Sequence, residues 1–243
     1  MLPSLLGKII DLMFPRNCPI CGNRLVGSED ILCTSCLLGL PFTQTWDNPY
    51  ENEMAKMFWV QIPIERCCAL FYYRSHAPSS YAIYSLKYND RPDIGIYMGR
   101  LIGNRGINNH FFDGIDAILP IPLTSQRKKH RGYNQSEMIA RGIQQKTHLP
   151  IIADAVKRNV FVESQTHKNR WQRQENVENV FCLSDFYHDG KGCKHPIKDL
   201  CGKHLLIIDD VCTTGATIIA CCQELMKAGK LKFSVASIGW AKE

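Results

Sequence analysis

One segment, residues 205–217, constrains the fold of this chain more than any other. Its sequence, LLIIDDVCTTGAT, is an apolar run that ends in Asp209 and Asp210 and continues into a turn rich in hydroxyl groups. The residues after the turn have the apolar spacing of a helix as far as Ala228. Strand and helix patterns alternate from residue 115 onward, which predicts an α/β fold with a parallel sheet flanked by helices.

The same segment carries groups that suit a sugar phosphate. Ligands of open α/β sheets bind at the carboxyl ends of the strands. A turn that opens into a helix exposes backbone N–H groups to an anion, and the carboxylates of Asp209 and Asp210 can accept hydrogen bonds from vicinal ribose hydroxyls. The sequence contains neither a Walker phosphate loop nor a G-x-G-x-x-G dinucleotide fingerprint after a strand. The alternative is an ordinary strand–turn–helix unit in which Asp209 only caps a neighbouring group.

Four of the 12 cysteines form a second distinctive pattern, C-x2-C-x11-C-x2-C. Each C-x2-C turn can place two thiolates on one side, and the two turns together supply the four sulfur ligands of a tetrahedral zinc ion. Because protein would fill all four positions, the zinc would be structural. The alternative is a set of four reduced thiols in a hydrophobic core. The predicted zinc ligands are Cys18, Cys21, Cys33 and Cys36.

The net charge of +6 is concentrated in one quarter of the chain. Residues 120–180 hold 11 Lys and Arg against five Asp and Glu, whereas the two signs balance elsewhere. The densest basic run is 127–131, and Lys168, Arg170 and Arg173 form a second cluster. Such an excess favours an anionic partner such as phosphate, pyrophosphate or nucleic acid, although a solvated basic face is the simpler alternative.

Pattern and composition divide the chain into two predicted domains. Residues 1–45 would hold an amphipathic N-terminal helix and the four-cysteine zinc ribbon, and residues 60–243 would form the α/β domain. The sequence has no apolar run long enough to span a membrane and no export signal, so we expect a cytoplasmic protein. The predicted strands are 67–73, 115–119, 158–163, 204–208 and 232–239, the predicted helices are 77–88, 93–104, 134–146 and 216–228, and the predicted loops are 164–180 and 189–195.

The segment 205–217 resembles the binding motif for phosphoribosyl pyrophosphate (PRPP) of type I phosphoribosyltransferases. Further motifs occur in the order typical of the ComF/GntX family of competence-associated proteins, which combine an N-terminal zinc ribbon with a phosphoribosyltransferase-like domain. The resemblance covers nearly the whole chain. The motifs are CPICG and CTSC in the ribbon, Leu86-Lys87-Tyr88, Pro120–Leu123, Arg131–Gln135, and the run 165–177.

This resemblance implies a role for each part of the predicted site. Asp209 and Asp210 would bind the ribose hydroxyls of PRPP, and Mg²⁺ would accompany PRPP. Residues 164–177 would be a mobile loop that closes over the site. The 5′-phosphate would be held by Thr213, Thr214, Gly215, Ala216 and Thr217. The pyrophosphate and the mobile loop would involve Pro120, Pro122, Leu123, Arg131, Arg170 and Arg173.

Two classes of function are compatible with the resemblance. The first is a phosphoribosyltransferase, a pentosyl glycosyltransferase, that transfers ribose phosphate to an unidentified acceptor and serves natural competence, DNA uptake or DNA processing beside other competence proteins. The second is a non-catalytic module that binds PRPP or single-stranded DNA through the zinc ribbon and basic loops. A PRPP sensor of the same fold is a third reading. The aromatic residues near the basic clusters, Tyr133 and Trp171, offer little stacking surface for DNA bases.

Overall fold

A computed structural model of the chain describes residues 16–159 and 180–242. In chain order its helices and strands are α1 (Thr34–Leu38), α2 (Glu53–Lys56), β1 (Ile64–Tyr72), α3 (Ser80–Tyr88), α4 (Pro92–Asn108), β2 (Ala117–Pro120), α5 (Ser125–Arg131), α6 (Gln135–Thr147), β3 (Val156–Arg158), β4 (Phe181–Leu183), β5 (Phe186–His188), β6 (Lys194–Pro196), β7 (His204–Cys212), α7 (Ala216–Leu225) and β8 (Lys232–Trp240). Two short 3-10 helices span Ile197–Leu200 and Met226–Ala228.

The main sheet has four parallel strands in the order β1–β8–β7–β2. Because all four strands run the same way, their carboxyl ends lie along one edge of the sheet. Pro120 in β2 lies opposite Ile208 in β7, and Asp209 lies opposite Ser237 in β8. This register places the end of β2 directly beside the aspartate pair of β7.

Both faces of the sheet are covered, because successive residues of each strand point to opposite faces. One face packs against the ribbon and helices α3, α4 and α6, whereas the other packs against α2, α7 and the β3–β4 pair. The buried strand residues on the first face include Cys68, Leu70, Ile118, Leu206, Ile208, Ala236 and Ile238. Those on the second face include Cys67, Ala69, Ala117, Leu119, Leu205, Ile207, Phe233 and Val235.

Glycines bring the backbones of α4 and α6 into direct contact. A Cβ atom on Gly99 would lie 2.1 Å from the carbonyl oxygen of Ile139, and a Cβ on Gly142 would lie 2.1 Å from that of Ile96. Atoms cannot approach so closely, so both positions require glycine. Helix α6 in turn packs against β2 and β7, so its first turn lies near the edge that carries the aspartate pair.

The ribbon segment and the sheet share one hydrophobic core. Buried side chains of the ribbon belong to the same cluster as those of α4 and α6. The indole nitrogen of Trp46 donates a 2.8 Å hydrogen bond to the carbonyl of Ala69 in β1, and Asp30 forms an ion pair with Arg100 of α4. The predicted division into domains at 1–45 and 60–243 stays a prediction.

Two antiparallel pairs lie outside the main sheet, β3 with β4 and β5 with β6. The turn between β5 and β6 is held by the carboxylate of Asp189, which accepts hydrogen bonds from the N–H groups of Lys191 and Cys193 at 2.8 and 2.9 Å. The carboxylate of Asp154 accepts a 3.0 Å hydrogen bond from the N–H of His188 and so connects the hairpin to the body of the protein.

Three predictions of local structure need correction. The basic run 127–131, for which no helix was predicted, lies in helix α5, which Thr124 caps at its start and Gly132 ends with a left-handed φ of 76°. The predicted loop 189–195 is largely a hairpin turn, and β6 begins at its end. Strand β7 continues to Cys212, so the aspartate pair lies within the strand, paired with β8 through Asp209.

Several predictions fall outside the described residues. These are the N-terminal helix, the part of the predicted strand beyond Asn159, and residues 164–179 of the predicted loop with Arg170 and Arg173. Within 16–159 and 180–242, no helix has both the length and the apolar character needed to cross a lipid bilayer.

Candidate functional site

The candidate site lies at the carboxyl edge of the sheet, where β7 leads into α7. Asp209 and Asp210 are both partly buried there. Each carboxylate accepts a hydrogen bond from the next N–H along the chain, at 2.9 Å for Asp209 and 2.7 Å for Asp210. These bonds fix the start of the turn and leave further carboxylate lone pairs free to accept hydrogen bonds from a ligand.

Lys87 reaches this pair from α3, far away in the sequence. Its Nζ lies 2.8 Å from a carboxylate oxygen of Asp210, and the two side chains are 24% and 14% exposed. At such partial burial the ion pair is stronger than a surface pair, so the last turn of α3 is held over the carboxyl end of β7.

The carboxyl group of Asp209 has an unusual acidity. Burial disfavours its charged form and the carboxylate of Asp210 repels it, and together they raise the pKa of Asp209 to about 7, although the cations of Lys87 and Arg158 oppose the shift. Ser136, in the first turn of α6, lies 3.4 Å from the same carboxylate through its hydroxyl. Protons and cations therefore compete for this group near neutral pH.

A second cationic side chain belongs to β3. Burial lowers the pKa of Arg158, repulsion from Arg127 adds to that shift, and attraction to Asp209 opposes it. These interactions place Arg158 within electrostatic range of both Arg127 and Asp209. The basic helix α5 and strand β3 thus both contribute positive charge around the aspartate pair.

The turn from β7 to α7 is open to solvent. Thr213, Thr214 and Ala216 are exposed, and Thr217 is half-buried. Together with Asp209 and adjoining residues they line a shallow depression. The cap residue Gly215 has no side chain, and the N–H of Ala216 donates only a long, 3.5 Å hydrogen bond to the hydroxyl of Thr214, so the first-turn N–H groups of α7 can donate to a ligand in this depression. Such a helix start attracts anions.

Gly215 sets the shape of that turn. Its φ is 75°, in the left-handed region, and a Cβ atom there would lie 2.8 Å from the ring of Phe58. Phe58 is fully buried beneath the turn. Glycine is therefore required twice at this position, for its backbone conformation and for the contact with the ring.

The segment after β2 forms the other side of the site. The N–H of Ile121 donates a 2.9 Å hydrogen bond to the carbonyl of Ile208, one residue before Asp209. Asn134 ties this segment to α6, because its side chain donates to the carbonyl of Ile121 at 3.0 Å and accepts from the N–H of Ser136 at 3.1 Å. Pro120 is buried, and Pro122 and Leu123 are half-buried. The predicted turn Pro120–Leu123 therefore adjoins the aspartate pair.

Arg131 and Gln135 join the same region from α5 and α6. An Arg131 nitrogen donates a 2.8 Å hydrogen bond to the side-chain oxygen of Gln135, and the guanidinium lies 5.3 Å from the ring centre of Tyr88. Gln135 is 1% exposed, and its buried side-chain nitrogen has no hydrogen-bond partner within the described part of the chain. A buried donor without a partner is costly, which suits a place where a ligand group completes the bond.

The four predicted zinc ligands come together at the other site. The Sγ atoms of Cys18, Cys21, Cys33 and Cys36 all lie within 4.8 Å of one another, and those of Cys21 and Cys33 are 3.7 Å apart. Two sulfurs at tetrahedral positions on one zinc ion are about 3.8 Å apart, given a Zn–S distance of about 2.3 Å. The arrangement therefore fits zinc.

Local backbone structure positions these thiols. At the first C-x2-C turn, the N–H of Gly22 donates to the carbonyl of Cys18 at 2.8 Å, and Gly22 adopts a φ of 73°. The second turn opens α1, with Cys33 as its cap. Burial acts to raise the pKa of Cys18, but hydrogen bonds, led by one from the backbone of Cys33, lower it to about 7. Burial raises the pKa of Cys36, so bound zinc would itself have to stabilise the four thiolates together.

Lys87, Arg127, Arg158 and Ser136 extend the predicted site. The sequence motif around Lys87 carried the resemblance, but no role was inferred for it. Its one sequence signal is that it is the only charged residue in the nine residues of α3. Arg158 had no signal, because its approach to the aspartates depends on how β3 packs.

Comparisons with known proteins agree with this architecture. A family model described as a double zinc ribbon domain matches residues 9–49, a span that contains four cysteines and so the ligands for one zinc ion. The protein named "DNA utilization protein YhgH" of Escherichia coli (strain K12) is 26% identical over 215 residues, which cover 87% of this chain and 85% of that protein.

Two proteins with competence names are similar over a shorter stretch. "Competence protein F" of Haemophilus influenzae is 28% identical over 114 residues, which cover 47% of this chain and 45% of that protein. "Competence protein ComFC" of Bacillus subtilis is 29% identical over 114 residues, which cover 47% of this chain and 40% of that protein. Together with the parallel sheet and the four clustered cysteines, these similarities support the assignment of this chain to the ComF family.

Proposed function

We propose that this chain binds PRPP with Mg²⁺ at the carboxyl edge of its sheet and acts as a phosphoribosyltransferase-like protein in DNA utilisation or competence. The observation that carries the proposal is the aspartate pair of β7, followed at once by an open turn at the start of α7. Carboxylates for ribose hydroxyls and first-turn N–H groups for a phosphate stand side by side.

Each group of PRPP has a matching surface. The ribose hydroxyls would meet Asp209 and Asp210, and the 5′-phosphate would meet the turn from Thr213 to Thr217. The pyrophosphate would lie toward Pro120–Leu123, with positive charge from the adjoining helix α5 and from Arg158. Mg²⁺ binds through phosphate oxygens with few protein ligands, and there it would neutralise part of the pyrophosphate charge.

Transfer would break the bond between C1 of the ribose and pyrophosphate and form a bond from C1 to the acceptor. The transition state gathers positive charge on the ribose and negative charge on the leaving pyrophosphate. The carboxylates of Asp209 and Asp210 would stabilise the positive charge on the ribose, and Mg²⁺ together with the basic residues of α5 would stabilise the negative charge on the pyrophosphate. Turnover and the acceptor belong to the proposal and are tested by release of pyrophosphate.

The role in DNA utilisation or competence rests on the names of the relatives described above. Partners in the competence machinery belong to this proposal. The basic helix α5, which borders the site, supports an association with polyanions in particular.

Calorimetric titration of PRPP and Mg²⁺ tests the site. We expect Asp209→Asn to weaken binding by at least about tenfold, because the amide cannot accept hydrogen bonds in the same way and lacks the charge that attracts Mg²⁺. A matched control is Asp113→Asn, a carboxylate that is 70% exposed and precedes β2 at the opposite edge of the sheet. We expect this variant to bind as the wild type does.

Equal binding of PRPP by Asp209→Asn and the wild type would show that the site assignment is wrong. Thermal unfolding of both variants confirms that each is folded before the titrations are compared. Release of pyrophosphate in the presence of candidate acceptors then distinguishes an enzyme from a PRPP-binding module.

A further inference from the structure

Helix α3 presents a row of tyrosines to solvent. Tyr81, Tyr84 and Tyr88 are 52%, 56% and 56% exposed. Their spacing of three and four residues places them on one face of the helix, while the opposite face is buried in the core. Single exposed apolar side chains are ordinary on protein surfaces, but three aromatic rings in a row form a contiguous patch.

This tyrosine row is continuous with the basic helix α5. The ring centres of Tyr84 and Tyr88 are 4.8 Å apart, and the guanidinium of Arg131 lies 5.3 Å from the ring centre of Tyr88. Arg131 is the last residue of α5. The row therefore ends against a cation that belongs to the neighbouring helix.

None of the seven residues of helix α5 is buried. Residues 127–130 are exposed and carry three cations and a histidine, and neither α5 nor α3 contains an acidic residue. A helix with no buried side chain gains little from packing against the protein, so its sequence is free to serve a partner. The positive charge of α5 favours a partner with a regular array of negative groups.

We infer that the tyrosine row of α3 and the basic face of α5 form one binding surface for single-stranded DNA. Unpaired bases would stack on Tyr81, Tyr84 and Tyr88, and phosphates would follow Lys128 and Lys129. Aromatic rings beside a cationic track are the combination by which proteins hold single strands without reading their sequence. The row spans about 10 Å along the helix axis, which is room for about three stacked nucleotides.

This inference goes beyond the proposed function, because it assigns single-stranded DNA to a defined surface of the protein. The choice of DNA over other polyanions rests on the proposed role in DNA utilisation, whereas the surface itself rests on exposure and charge. Lys87, between Tyr84 and Tyr88 in the sequence, contacts Asp210 of the PRPP site. The DNA surface and the PRPP site therefore share one helix.

The experiment measures binding of a fluorescein-labelled oligo(dT) to the full chain by fluorescence anisotropy, without PRPP. We expect Tyr84→Ala and Tyr88→Ala each to weaken binding by about 5- to 100-fold, and Tyr84→Phe to retain wild-type affinity because the ring is kept. Tyr50→Ala is the matched control, because Tyr50 is 55% exposed and lies outside α3.

A second variant separates phosphate binding from stacking. Lys128→Ala with Lys129→Ala should reduce the slope of log affinity against log salt by about 0.7 for each phosphate that the variant no longer neutralises. Tyr84→Ala should leave that slope unchanged. Because no PRPP is present, failure of this test leaves the PRPP proposal untouched, and failure of the PRPP titration leaves this one untouched.

Three results would overturn the inference. One is an affinity for oligo(dT) that is the same in Tyr84→Ala and wild type while both are folded. Another is tighter binding of duplex DNA than of the single strand, since paired bases cannot stack on the row. The third is tighter binding of oligo(rU) than of oligo(dT), which would assign the surface to RNA.

Discussion

Asp209 has a carboxyl pKa well above that of an ordinary aspartate. Its carboxyl is buried within a strand and lies beside another carboxylate, and its pKa rises to about 7 as a result. For PRPP binding this means that a part of the molecules would carry a proton on the ribose-binding group at neutral pH. Binding with Mg²⁺ should therefore strengthen as the pH rises through 7.

The raised pKa of Asp209 also predicts how the stability of the ligand-free protein depends on pH. The carboxyl holds its proton more tightly in the folded state than in the unfolded state, where its pKa is near 3.8. Between about pH 4 and about pH 7 the folded state therefore binds more protons, so Asp209 removes stability as the pH rises through that window. Thermal unfolding across this range should show a smaller loss of stability in Asp209→Asn, with a Tm at least about 3 °C above wild type at the upper end.

Asp185→Asn serves as the comparison, since it removes an exposed carboxylate that precedes β5, outside the site. Its Tm difference from wild type should be the same at both ends of the pH range. A constant Tm difference for Asp209→Asn as well would contradict the raised pKa of Asp209.

Sequence reasoning identified the residues that are adjacent in the chain and missed those that meet only in space. Asp209, Asp210 and the turn that follows form a local pattern, and the four cysteines form another. Lys87 and Arg158 contact this site from α3 and β3, and their reach depends on how those elements pack. No spacing in a single sequence encodes that distance.

At the scale of the elements, two turns can be compared through their glycines. Gly215 lies between β7 and α7, and Gly192 lies between β5 and β6. Gly215 and Gly192 have φ values of 75° and 81°, but only Gly215 has a neighbour, the ring of Phe58, in the space a Cβ would take. We expect Gly192→Ala to lower the free energy of unfolding by about 1 kcal/mol and Gly215→Ala by about 3 kcal/mol. Urea unfolding of the two variants measures the difference.

A cost that is equal in the two variants would mean that the ring of Phe58 moves aside freely. In that case Gly215 would serve the backbone conformation alone. PRPP titration into Gly215→Ala adds a second measurement, because displacement of the turn should weaken binding even if the variant is stable.

The spacing of apolar residues predicted most of the helices and strands, and the exceptions have physical reasons. Helix α5 has no buried face, so the sequence shows no period of apolar residues there. Strand β7 runs on through its two aspartates because pairing with β8 continues beyond them. The tyrosines of α3 lie within a predicted helix, but their position beside α5 could not be inferred from a sequence separation of more than 40 residues.

At the scale of the whole molecule, the zinc ribbon and the main sheet share one hydrophobic core, so the stability of the sheet should depend on the ribbon. We expect the purified protein to hold about one zinc per chain. Because ribbon side chains pack with α4 and α6, Cys21→Ser should lower both the zinc content and the Tm of the entire chain, the latter by at least about 5 °C. Metal analysis and thermal unfolding measure the two effects.

Cys193→Ser is the matched control, because Cys193 is exposed like Cys21 but lies in the β5–β6 turn. We expect it to keep both zinc and Tm. Absence of zinc from wild-type protein that was kept reduced and never exposed to chelators would refute the metal site.

The strand order has a consequence for how the protein is made. β8 is synthesised after the other three strands of the main sheet, yet it lies between β1 and β7. Until it leaves the ribosome, β1 has no strand partner in that sheet, and the edge along which β8 would pair stays open. Ribosome stalling before β8 would therefore leave a nascent chain with an unpaired strand edge that can associate with other chains. We expect chaperones to retain such chains longest.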